Sequence, residues 1–470
     1  MDRAALNPHS RTMSSLSYDI YIRSSIYLKK HWVIACIVVM FCSLSMRVFI
    51  GFRSDQDALI QENADAATYI VPAENLLHGR GFTNLFNQPE VTRTPGYPAF
   101  LAALIMIIGD IPRQFLLAQT IILSVEAVIV YVFARRLLPP VTALIAGLIA
   151  ALSPWAAALA VLPLSEGLFL LLLSLIFFLM KITSDASGRI SAITGSVLLG
   201  LLIAFAVLVR PLWPLVPIFG GLFFILYGPR RSKVWVLLAT MMVFAATPLL
   251  LWKARNRIVA GANSLSDVAG QCAFRMLAPR VSADIQNEDR WELMRSARLE
   301  ESKWKMTIQQ KDDERWHRAA VVFKSYPALT IYYFLLNGVE NMVHPSPYVL
   351  SPGRLNFQGD YWALAALWMA LLILVVIGLF YGAAGDAEHP HARSWMIAVL
   401  FVGVVLTFSS GLCFGAGSRY RVALELAVPL FAAVGLASLL FPSCARLRQR
   451  KLPNKYLTCT VANNSDQNQG

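Results

Sequence analysis

Long apolar segments recur along the whole chain and constrain its fold more than any other feature. A helix needs about 20 apolar residues to cross the hydrocarbon core of a bilayer, and about ten segments meet that length. They are residues 32–52, 114–138, 140–162, 164–181, 191–209, 211–228, 233–252, 361–383, 395–413 and 420–441. Only 15% of the 470 residues are charged, whereas soluble domains are about 25% charged. The sequence therefore predicts an all-α polytopic membrane protein and excludes a soluble enzyme.

The distribution of basic residues predicts the orientation of these segments. The net charge is +13, and cytoplasmic loops of membrane proteins are rich in Lys and Arg. Residues 95–109 are apolar, but as a helix they would span only about 22 Å of a core of ~30 Å. If this segment stays on the outer surface, the basic clusters share one side. These clusters are residues 3–30, 135–136, 181–189, 230–233, 393 and 446–455. We therefore expect 95–109 to lie in the outer interface and both termini to be cytoplasmic, and nucleic acid is not expected as a partner.

This topology divides the chain into five parts. Two long segments then face outward, and apolar residues at helical spacing within them predict interfacial helices on the membrane surface. The expected parts are a cytoplasmic segment 1–31, a catalytic transmembrane module 32–252 with a first outer loop 53–112, a large extracytoplasmic loop 253–360, C-terminal transmembrane helices 361–441 and a cytoplasmic tail 442–470.

Common cofactor and redox motifs are missing from the sequence. The 6 cysteines are scattered, so their spacing predicts neither a disulfide framework nor a metal site. The chain has no P-loop and no dinucleotide-binding fingerprint. No cofactor is therefore predicted with support, and dependence on a divalent metal is left open.

The first outer loop carries the most informative pattern. Asp65, Tyr69 and Ala73 follow one another at steps of four, which places them on one face of a short helix. Asp65 stands at the start of that helix, just outside the bilayer. A carboxylate there could simply complement the helix dipole, or it could be a catalytic base.

The order of motifs along the chain resembles that of a known enzyme class. The first loop reads Asp65-x3-Tyr69-x3-Ala73-x2-Leu76-x2-Gly79-x-Gly81-Phe82, followed by Arg93-x-Pro95-x-Tyr97-Pro98; later come Pro163-Leu-Ser-Glu166, Leu208-Val-Arg-Pro211, Trp252-x2-Arg255-Asn256 and Ser418-Arg-Tyr-Arg421. Together they resemble the bacterial membrane glycosyltransferases of the GT-C class, family 39-like relatives of protein O-mannosyltransferases and of the lipid A aminoarabinose transferase. Many such relatives carry an adjacent Asp-Glu pair. This chain has Ala-Asp-Ala at 64–66, which leaves the position of a second acid open.

The resemblance implies a GT-C-like helical bundle that transfers a sugar from a polyprenyl phosphate or diphosphate to an acceptor on the outer face. Such a transfer needs a carboxylate base, cations on the leaving phosphate and contact with membrane lipids for the donor's tail. The acceptor could be a glycan, a lipid or a protein. The candidate catalytic residues are Asp65 and Glu166; the candidates for the donor phosphate are Arg210, Arg419, Arg421 and Arg255; the candidates for the substrate pocket are Tyr69, Arg93, Tyr97 and Tyr420.

Two other functions remain open at this point. A flippase of lipid-linked saccharides is expected to show internal repeats and broken helices at the membrane midplane. A polymerase or ligase of lipid-linked polysaccharide would also use outward-facing arginines and a large outer loop. The expected location in each case is the bacterial inner membrane, with the site facing the periplasm.

Overall fold

The computed structural model describes residues 13–53, 64–109, 112–212, 214–227, 234–343, 358–381, 391–413 and 417–441. Several predicted segments lie wholly or partly outside these ranges. They are the first twelve residues, the C-terminal tail 442–470 and parts of both outer loops.

The described residues are mostly helical, as the sequence predicted. The bundle and its surface helices are Met13–Lys30, Trp32–Arg53, Ala64–Leu77, Gly96–Ile108, Pro112–Ala134, Pro140–Ala151, Pro154–Val161, Ser165–Asp185, Arg189–Val209, Leu215–Tyr227, Val234–Ala260, Val268–Cys272, Ala278–Gln286, Arg290–Ser302, Ile308–Ser325, Pro327–Val343, Gln358–Tyr381, Ala392–Ser409 and Leu424–Leu440. One π-helical turn spans Ala273–Leu277, and two 3₁₀ turns span Ser410–Leu412 and Gly417–Arg421. Within the described ranges the only extended pairing is an isolated bridge between Thr83 and Pro89.

Seven of the described helices are long and apolar enough to cross a membrane. Two bent helix pairs raise the number to nine if each pair is one span. The first pair, 140–151 with 154–161, bends by 47°, and the second, 308–325 with 327–343, bends by 110°. Two further predicted spans correspond to shorter apolar helices, at 215–226 and 424–440. The chain is a multi-pass membrane protein, and the count of about ten spans remains a prediction.

The contacts of Arg419 constrain the position of the helix Gly96–Ile108. Arg419 bonds to the carboxylates of both Asp65 and Glu166, so these two acids lie at the same end of the bundle. The chain between them therefore crosses an even number of times. If the bent pair 140–161 is one span, it and the helix Pro112–Ala134 supply two crossings and leave none for 96–108. The surface position of 96–108 remains a prediction.

A buried glutamine holds the helix break that precedes Glu166. The chain leaves helical geometry between Val161 and Ser165, where backbone carbonyls lose their helical partners. The Gln119 side chain donates to the carbonyls of Ala160 and Leu162 at 2.9 and 2.7 Å. Because an unpaired carbonyl inside a membrane costs roughly several kcal/mol, this amide stabilises the helix break just before Glu166.

A disulfide that the sequence did not predict joins the large polar segment to the bundle. Cys272 and Cys413 are bonded, with their Cα atoms 5.4 Å apart, although they stand 141 positions apart in the chain. The spacing of the cysteines, in which no disulfide framework was visible, gave no indication of this bond. Only the fold brings these two residues together. Cys36 and Cys42 are free.

A close backbone contact fixes the helix Gly96–Ile108 against the end of Arg189–Val209. A Cβ atom on Gly96 would lie 2.6 Å from the carbonyl carbon of Leu208 and 2.6 Å from the nitrogen of Val209. These are backbone atoms, so neither can move aside as a flexible side chain would. Only glycine allows this approach, which lies directly beside Arg210.

The disulfide should be detectable and should report the side of the membrane. In a variant that keeps only Cys272 and Cys413, with the other four cysteines changed to serine, a maleimide-polyethylene glycol should add nothing before reduction and two tags after it. Structural disulfides form in oxidising compartments, so the bond would also assign 268–343 to the outer side. A further Cys272→Ser change should expose one thiol without reductant. Two tags on the unreduced protein would contradict the pairing.

We expect Gly96→Ala to destabilise the fold. The added methyl group overpacks a backbone contact, which typically costs about 1–3 kcal/mol, so the thermal unfolding temperature of the detergent-purified protein should fall. Gly221→Ala is the matched control, because nothing lies within 4 Å of its added Cβ and alanine favours a helix over glycine. Equal unfolding temperatures for the two variants would refute the close contact.

Candidate active site

Five charged side chains from distant parts of the sequence meet at one end of the bundle. We call Asp65, Arg93, Glu166, Arg210 and Arg419 the ion cluster. Asp65 and Glu166 lie in the first turns of the helices 64–77 and 165–185. Arg210 caps the C-terminus of 189–209, and Arg419 lies in the 3₁₀ turn before the last helix. Four of the five residues stand at or beside helix ends, and Arg93 lies in the loop before the helix 96–108.

Arg419 joins the two acids. Its Nη1 donates to Asp65 Oδ2 at 2.6 Å, and its Nε donates to Glu166 Oε1. The Arg419 side chain is only 8% exposed. A lysine could not replace it without loss, because the two bonds use separate nitrogens of one rigid planar group.

Two further arginines complete the ion cluster. Arg210 Nη1 lies 2.7 Å from Glu166 Oε1, and Arg93 Nη2 donates to Asp65 Oδ1. The order of charges is therefore Arg93, Asp65, Arg419, Glu166, Arg210, alternating in sign. Three cations and two anions leave a net charge of +1, in a place where water and salt screen charges less than at an open surface.

The two carboxylates differ sharply in access to solvent. The Asp65 side chain is 34% exposed, whereas Glu166 is 0% exposed. Only Asp65 can therefore meet a molecule that enters from the polar side. Glu166 contacts the arginines and the hydroxyl of Ser165, whose Oγ lies 3.4 Å from Glu166 Oε2.

The arginines control the protonation of Asp65. Burial alone raises the pKa of the Asp65 carboxyl, but the charges of Arg419 and Arg93 and their hydrogen bonds outweigh burial and hold this pKa well below its usual range. Asp65 is thus ionised across the physiological range and bound on both oxygens.

Aromatic side chains surround the ion cluster. The Tyr69 hydroxyl lies 3.2 Å from Arg93 Nη1 and 3.1 Å from Ser165 Oγ, and its ring packs edge-on against Tyr97 at 5.0 Å. Tyr97 is fully buried, and its hydroxyl donates to the Gln119 side chain at 2.7 Å. Tyr97 therefore supports Tyr69 from inside the protein and has no surface open to a substrate. Tyr420 is half-buried, and its ring lies 5.6 Å from the Arg210 guanidinium.

The structure does not bring Arg421 into the ion cluster, although the sequence grouped it with Arg419. Its guanidinium lies between the rings of Trp155 and Trp368, at 4.8 and 3.5 Å, and 3.5 Å from Glu425. Arg421 is 0% exposed. In a tight 3₁₀ turn, residues two apart point in different directions, so one arginine faces the cluster and the other enters the bundle. The expected phosphate contact of Arg421 gains no support from this position.

Arg255 also has other partners. It donates to the carbonyls of Phe82 and Glu90, both at 2.8 Å, and lies 4.9 Å from the ring of Trp252. These contacts tie the helix 234–260 to the first polar loop. The expected phosphate contact of Arg255 is therefore not favoured either.

Two features of this region were not recognised in the sequence. Arg93 was assigned to the sugar pocket, whereas it bonds directly to Asp65; its Nε also donates to Thr68 Oγ1 at 2.9 Å. Glu126, buried in the bundle, pairs with Arg47 at 3.3 Å. A lone Arg and a lone Glu in two different apolar spans could have signalled this pair, because buried charges need partners.

Within the described ranges, no three His, Cys, Asp or Glu side chains come together as metal ligands.

Comparisons with known proteins concern one segment of the chain and its overall fold. Residues 92–252 match the family described as dolichyl-phosphate-mannose-protein mannosyltransferase. This range is roughly a third of the chain and includes Arg93, Glu166 and Arg210, but not Asp65 or Arg419. No curated protein sequence matches the chain.

Two solved structures share its architecture. The oligosaccharyltransferase of Archaeoglobus fulgidus in the apo form has a TM-score of 0.51 at 13% identity, covering 90% of this chain and 52% of that one. The same enzyme in complex with Zn and sulfate has a TM-score of 0.50 at 14% identity, covering 88% and 50%. This chain thus spans about half the length of these proteins, and at such identity the likeness concerns the fold.

The resemblance seen in the sequence is confirmed by the family match and by the helical fold. The motifs of the first loop, the multi-pass bundle and the matched segment 92–252 all agree. Residues 92–252 of this multi-pass membrane protein are thus similar to the dolichyl-phosphate-mannose-protein mannosyltransferase family, and its helical bundle has a GT-C-like fold.

Proposed function

We propose that this protein transfers a sugar from a polyprenyl phosphate or diphosphate to an acceptor hydroxyl at the ion cluster. One observation carries the proposal. A single accessible carboxylate, Asp65, is joined through Arg419 to a buried carboxylate, Glu166, in a cluster with three arginines at one end of a membrane bundle. This set supplies both a proton acceptor and an anion site for a lipid-linked donor.

Asp65 is the proposed general base. It takes the proton of the acceptor hydroxyl while the acceptor oxygen forms a bond to the anomeric carbon of the sugar. The bond between that carbon and the phosphate oxygen breaks, and its electron pair stays on the phosphate. Asp65 suits this role because it is the accessible one of the two cluster carboxylates, and positioned bases contribute about 10²–10⁴-fold to such steps.

Arg210, Arg419 and Arg93 are the proposed ligands of the donor phosphate. The cluster's net charge of +1 would be neutralised by a phosphodiester of charge −1. Cations placed where negative charge grows stabilise the transition state more than the ground state. The donor phosphate would then lie at headgroup level, with its lipid tail in the bilayer beside the apolar faces of the spans.

Donor binding and base strength are coupled in this proposal. Arg419 and Arg93 lower the pKa of Asp65, and a carboxylate with a very low pKa is a poor proton acceptor. A donor phosphate competes for the same guanidinium groups, so its binding raises the pKa of Asp65. The base then gains strength only when the donor is in place.

Glu166 is proposed as a positioning residue for Arg419 and Arg210. Its Oε1 atom receives both guanidinium groups, and the side chain has no exposed surface. It cannot reach an acceptor without rearrangement. Its negative charge instead keeps two arginines close together that would otherwise repel each other.

We place the reaction on the extracytoplasmic face of a bacterial inner membrane. Two observations support this side. Arg136 and Lys181, from two of the basic clusters, pair with Asp185, which ends the helix that begins beside Glu166. The disulfide residue Cys413 comes six positions before Arg419 in the chain, and structural disulfides form in oxidising compartments.

A transfer assay distinguishes this function from its alternatives. Purified protein is mixed with a radiolabelled polyprenyl-phosphate sugar and an extract of bacterial envelope. Label that moves once to an acceptor supports transfer. Label that crosses vesicle membranes unchanged would indicate a flippase, and label in products of growing length would indicate a polymerase.

We expect Asp65→Asn to reduce sugar transfer by about 10²–10⁴-fold. Asparagine keeps the size of the side chain but cannot accept the proton. Transfer is measured at saturating donor, with the amount of membrane-inserted protein determined in parallel. Asp289→Asn is the matched control: Asp289 caps the helix 290–302, and asparagine caps helices as well as aspartate does. Normal turnover in Asp65→Asn would assign the base elsewhere.

We expect Arg419→Lys to impair transfer strongly even though the charge is kept. Lysine offers no planar fork, so it cannot bond to Asp65 and Glu166 with separate fixed nitrogens or grip a phosphate in two places. The measured result should be a fall in kcat with a rise in the donor's KM, and Arg419→Ala should be worse.

The matched control for this change is Arg280→Lys. Arg280 is also buried and forms a two-pronged bond to Glu340, at 2.9 Å for each pair of atoms, but it lies outside the ion cluster. Transfer by Arg280→Lys should stay near normal after correction for protein amount. Equal losses in the two lysine variants would show a general cost of replacing buried arginines and would defeat the phosphate assignment.

A further inference from the structure

An open polar cleft lies beside the ion cluster, on the side away from the bundle. Its volume is about 450 Å³, and it runs between the first polar loop, residues 84–92, and the surface helices of the large outer segment, residues 267–315. Ligand sites in proteins commonly have volumes of about 300–1,000 Å³. The cleft is therefore large enough for a few sugar rings.

The cleft reaches the immediate surroundings of Asp65. Thr68 lines it, and the Thr68 hydroxyl also accepts from Arg93 Nε at 2.9 Å. Thr92 and Glu90 line it as well, and Glu90 accepts from the backbone nitrogen of Arg93 at 2.9 Å. A molecule in the cleft would thus lie next to the base and on the polar side from which an acceptor must approach.

Two of the cations that line the cleft are neutralised inside the protein. Arg275 forms two bonds to Glu301, at 2.5 and 2.7 Å. Arg315 bonds to Asp267 at 2.7 Å and to Glu301 at 2.8 Å. These pairs build the wall of the cleft and leave no charge for a ligand.

The other two cations, Arg298 and Lys311, are not neutralised in this way. Both line the cleft, and among the described residues neither has an ion-pair partner. They come from the helices 290–302 and 308–325, which the Arg315–Glu301 pair holds together. The cleft therefore presents two positive charges that have no ion-pair partner among the described residues. Beyond Asp267 and Glu301, one further carboxyl lines the cleft, that of Glu90, which is buried.

The opposite wall carries an apolar loop tip held in a fixed shape. Phe86 and Leu85 are 79% and 57% exposed and line the cleft. The Asn84 side chain accepts from the backbone nitrogens of Phe86 and Gln88 at 2.9 and 3.1 Å, which fixes the turn. An exposed aromatic face opposite unpaired cations suits a ring-shaped ligand that carries negative charge.

We propose that this cleft binds the acceptor and that the acceptor is an anionic saccharide. Arg298 and Lys311 would bind its carboxylate or phosphate groups, and Phe86 would contact the face of a sugar ring. The role as acceptor site rests on the proposed transferase function, whereas anion binding by the cleft does not.

Binding measurements on the purified full-length protein test the proposal directly. Saturation-transfer NMR titrations would use trigalacturonate for the carboxylate arm and glucose 1-phosphate for the phosphate arm. The neutral partners are the trimethyl ester of trigalacturonate and glucose. We expect at least one anion to bind, its neutral partner to bind tenfold or more weakly, and the difference to shrink at high salt.

The double variant Arg298→Gln/Lys311→Gln should raise the dissociation constant of the bound anion at least tenfold, because two charge-assisted bonds are lost. The matched control is Arg295→Gln/Lys324→Gln. It removes the same charge from the same two helices at exposed positions outside the cleft, and it should bind normally.

Three results would overturn the proposal. They are equal binding of anion and neutral partner, equal losses in the two double variants, and no binding of either anion. Measuring anion binding by the Asp65→Asn variant distinguishes the two proposals, because this variant should lose sugar transfer but still bind the anion in the cleft. If the wild type binds the anion but transfers no sugar, only the transferase function fails. If it transfers sugar while the cleft variants leave binding and acceptor KM unchanged, only the cleft assignment fails.

Discussion

The sharing of one guanidinium group between two carboxylates is the interaction on which the active-site end of this bundle depends. Arg419 comes from the turn before the last helix, Asp65 from the first polar loop and Glu166 from the start of a span. Removing Arg419 would leave Asp65 with Arg93 alone and Glu166 with Arg210 alone, and the loss of a counter-charge is expensive in a medium of low dielectric constant. The pairing therefore helps to fix where three distant segments meet. The two acids differ in access, because Glu166 is enclosed while Asp65 keeps a path to solvent.

The helix breaks near this end matter as much as the charges. A membrane-embedded backbone tolerates an interruption only where side chains replace the lost hydrogen bonds. The Gln119 amide nitrogen replaces the lost hydrogen bonds at the break before Glu166, and the amide oxygen of the same side chain accepts from the Tyr97 hydroxyl. Ser153 caps the helix 154–161 and also donates to Glu425, the partner of Arg421. Polar residues inside the bundle thus shape the backbone so that charged residues at helix ends can converge.

The sequence predicted the elements well and their side-chain contacts only in part. Apolar length identified the spans, because the bilayer fixes the length that a helix needs. The charge of the loops predicted that 95–109 stays on one surface and that Asp65, Glu166, Arg210 and Arg419 share one end of the bundle. In the structure these four side chains form ion pairs with one another. The environment of each individual side chain depends on the folded geometry, which the spacing of residues in the sequence does not reveal. Arg419 and Arg421 differ by two positions in a tight turn and enter different environments. Cys272 and Cys413 are 141 residues apart, and only the folded chain makes them neighbours.

Exposure to solvent distinguishes the ion cluster from the buried ion pairs inside the bundle. The pairs of Arg47 with Glu126 and of Arg421 with Glu425 are inaccessible to solvent, since no side chain in them is more than 4% exposed. Such pairs hold spans together and offer nothing to a ligand. The ion cluster differs because its arginines Arg93 and Arg210 are each 15% exposed and Asp65 is 34% exposed. Its internal bonds can therefore be exchanged for bonds to an incoming anion at little cost in desolvation, since solvent already reaches one side. A buried arginine in a membrane protein is thus a candidate ligand only where its partners remain open to solvent.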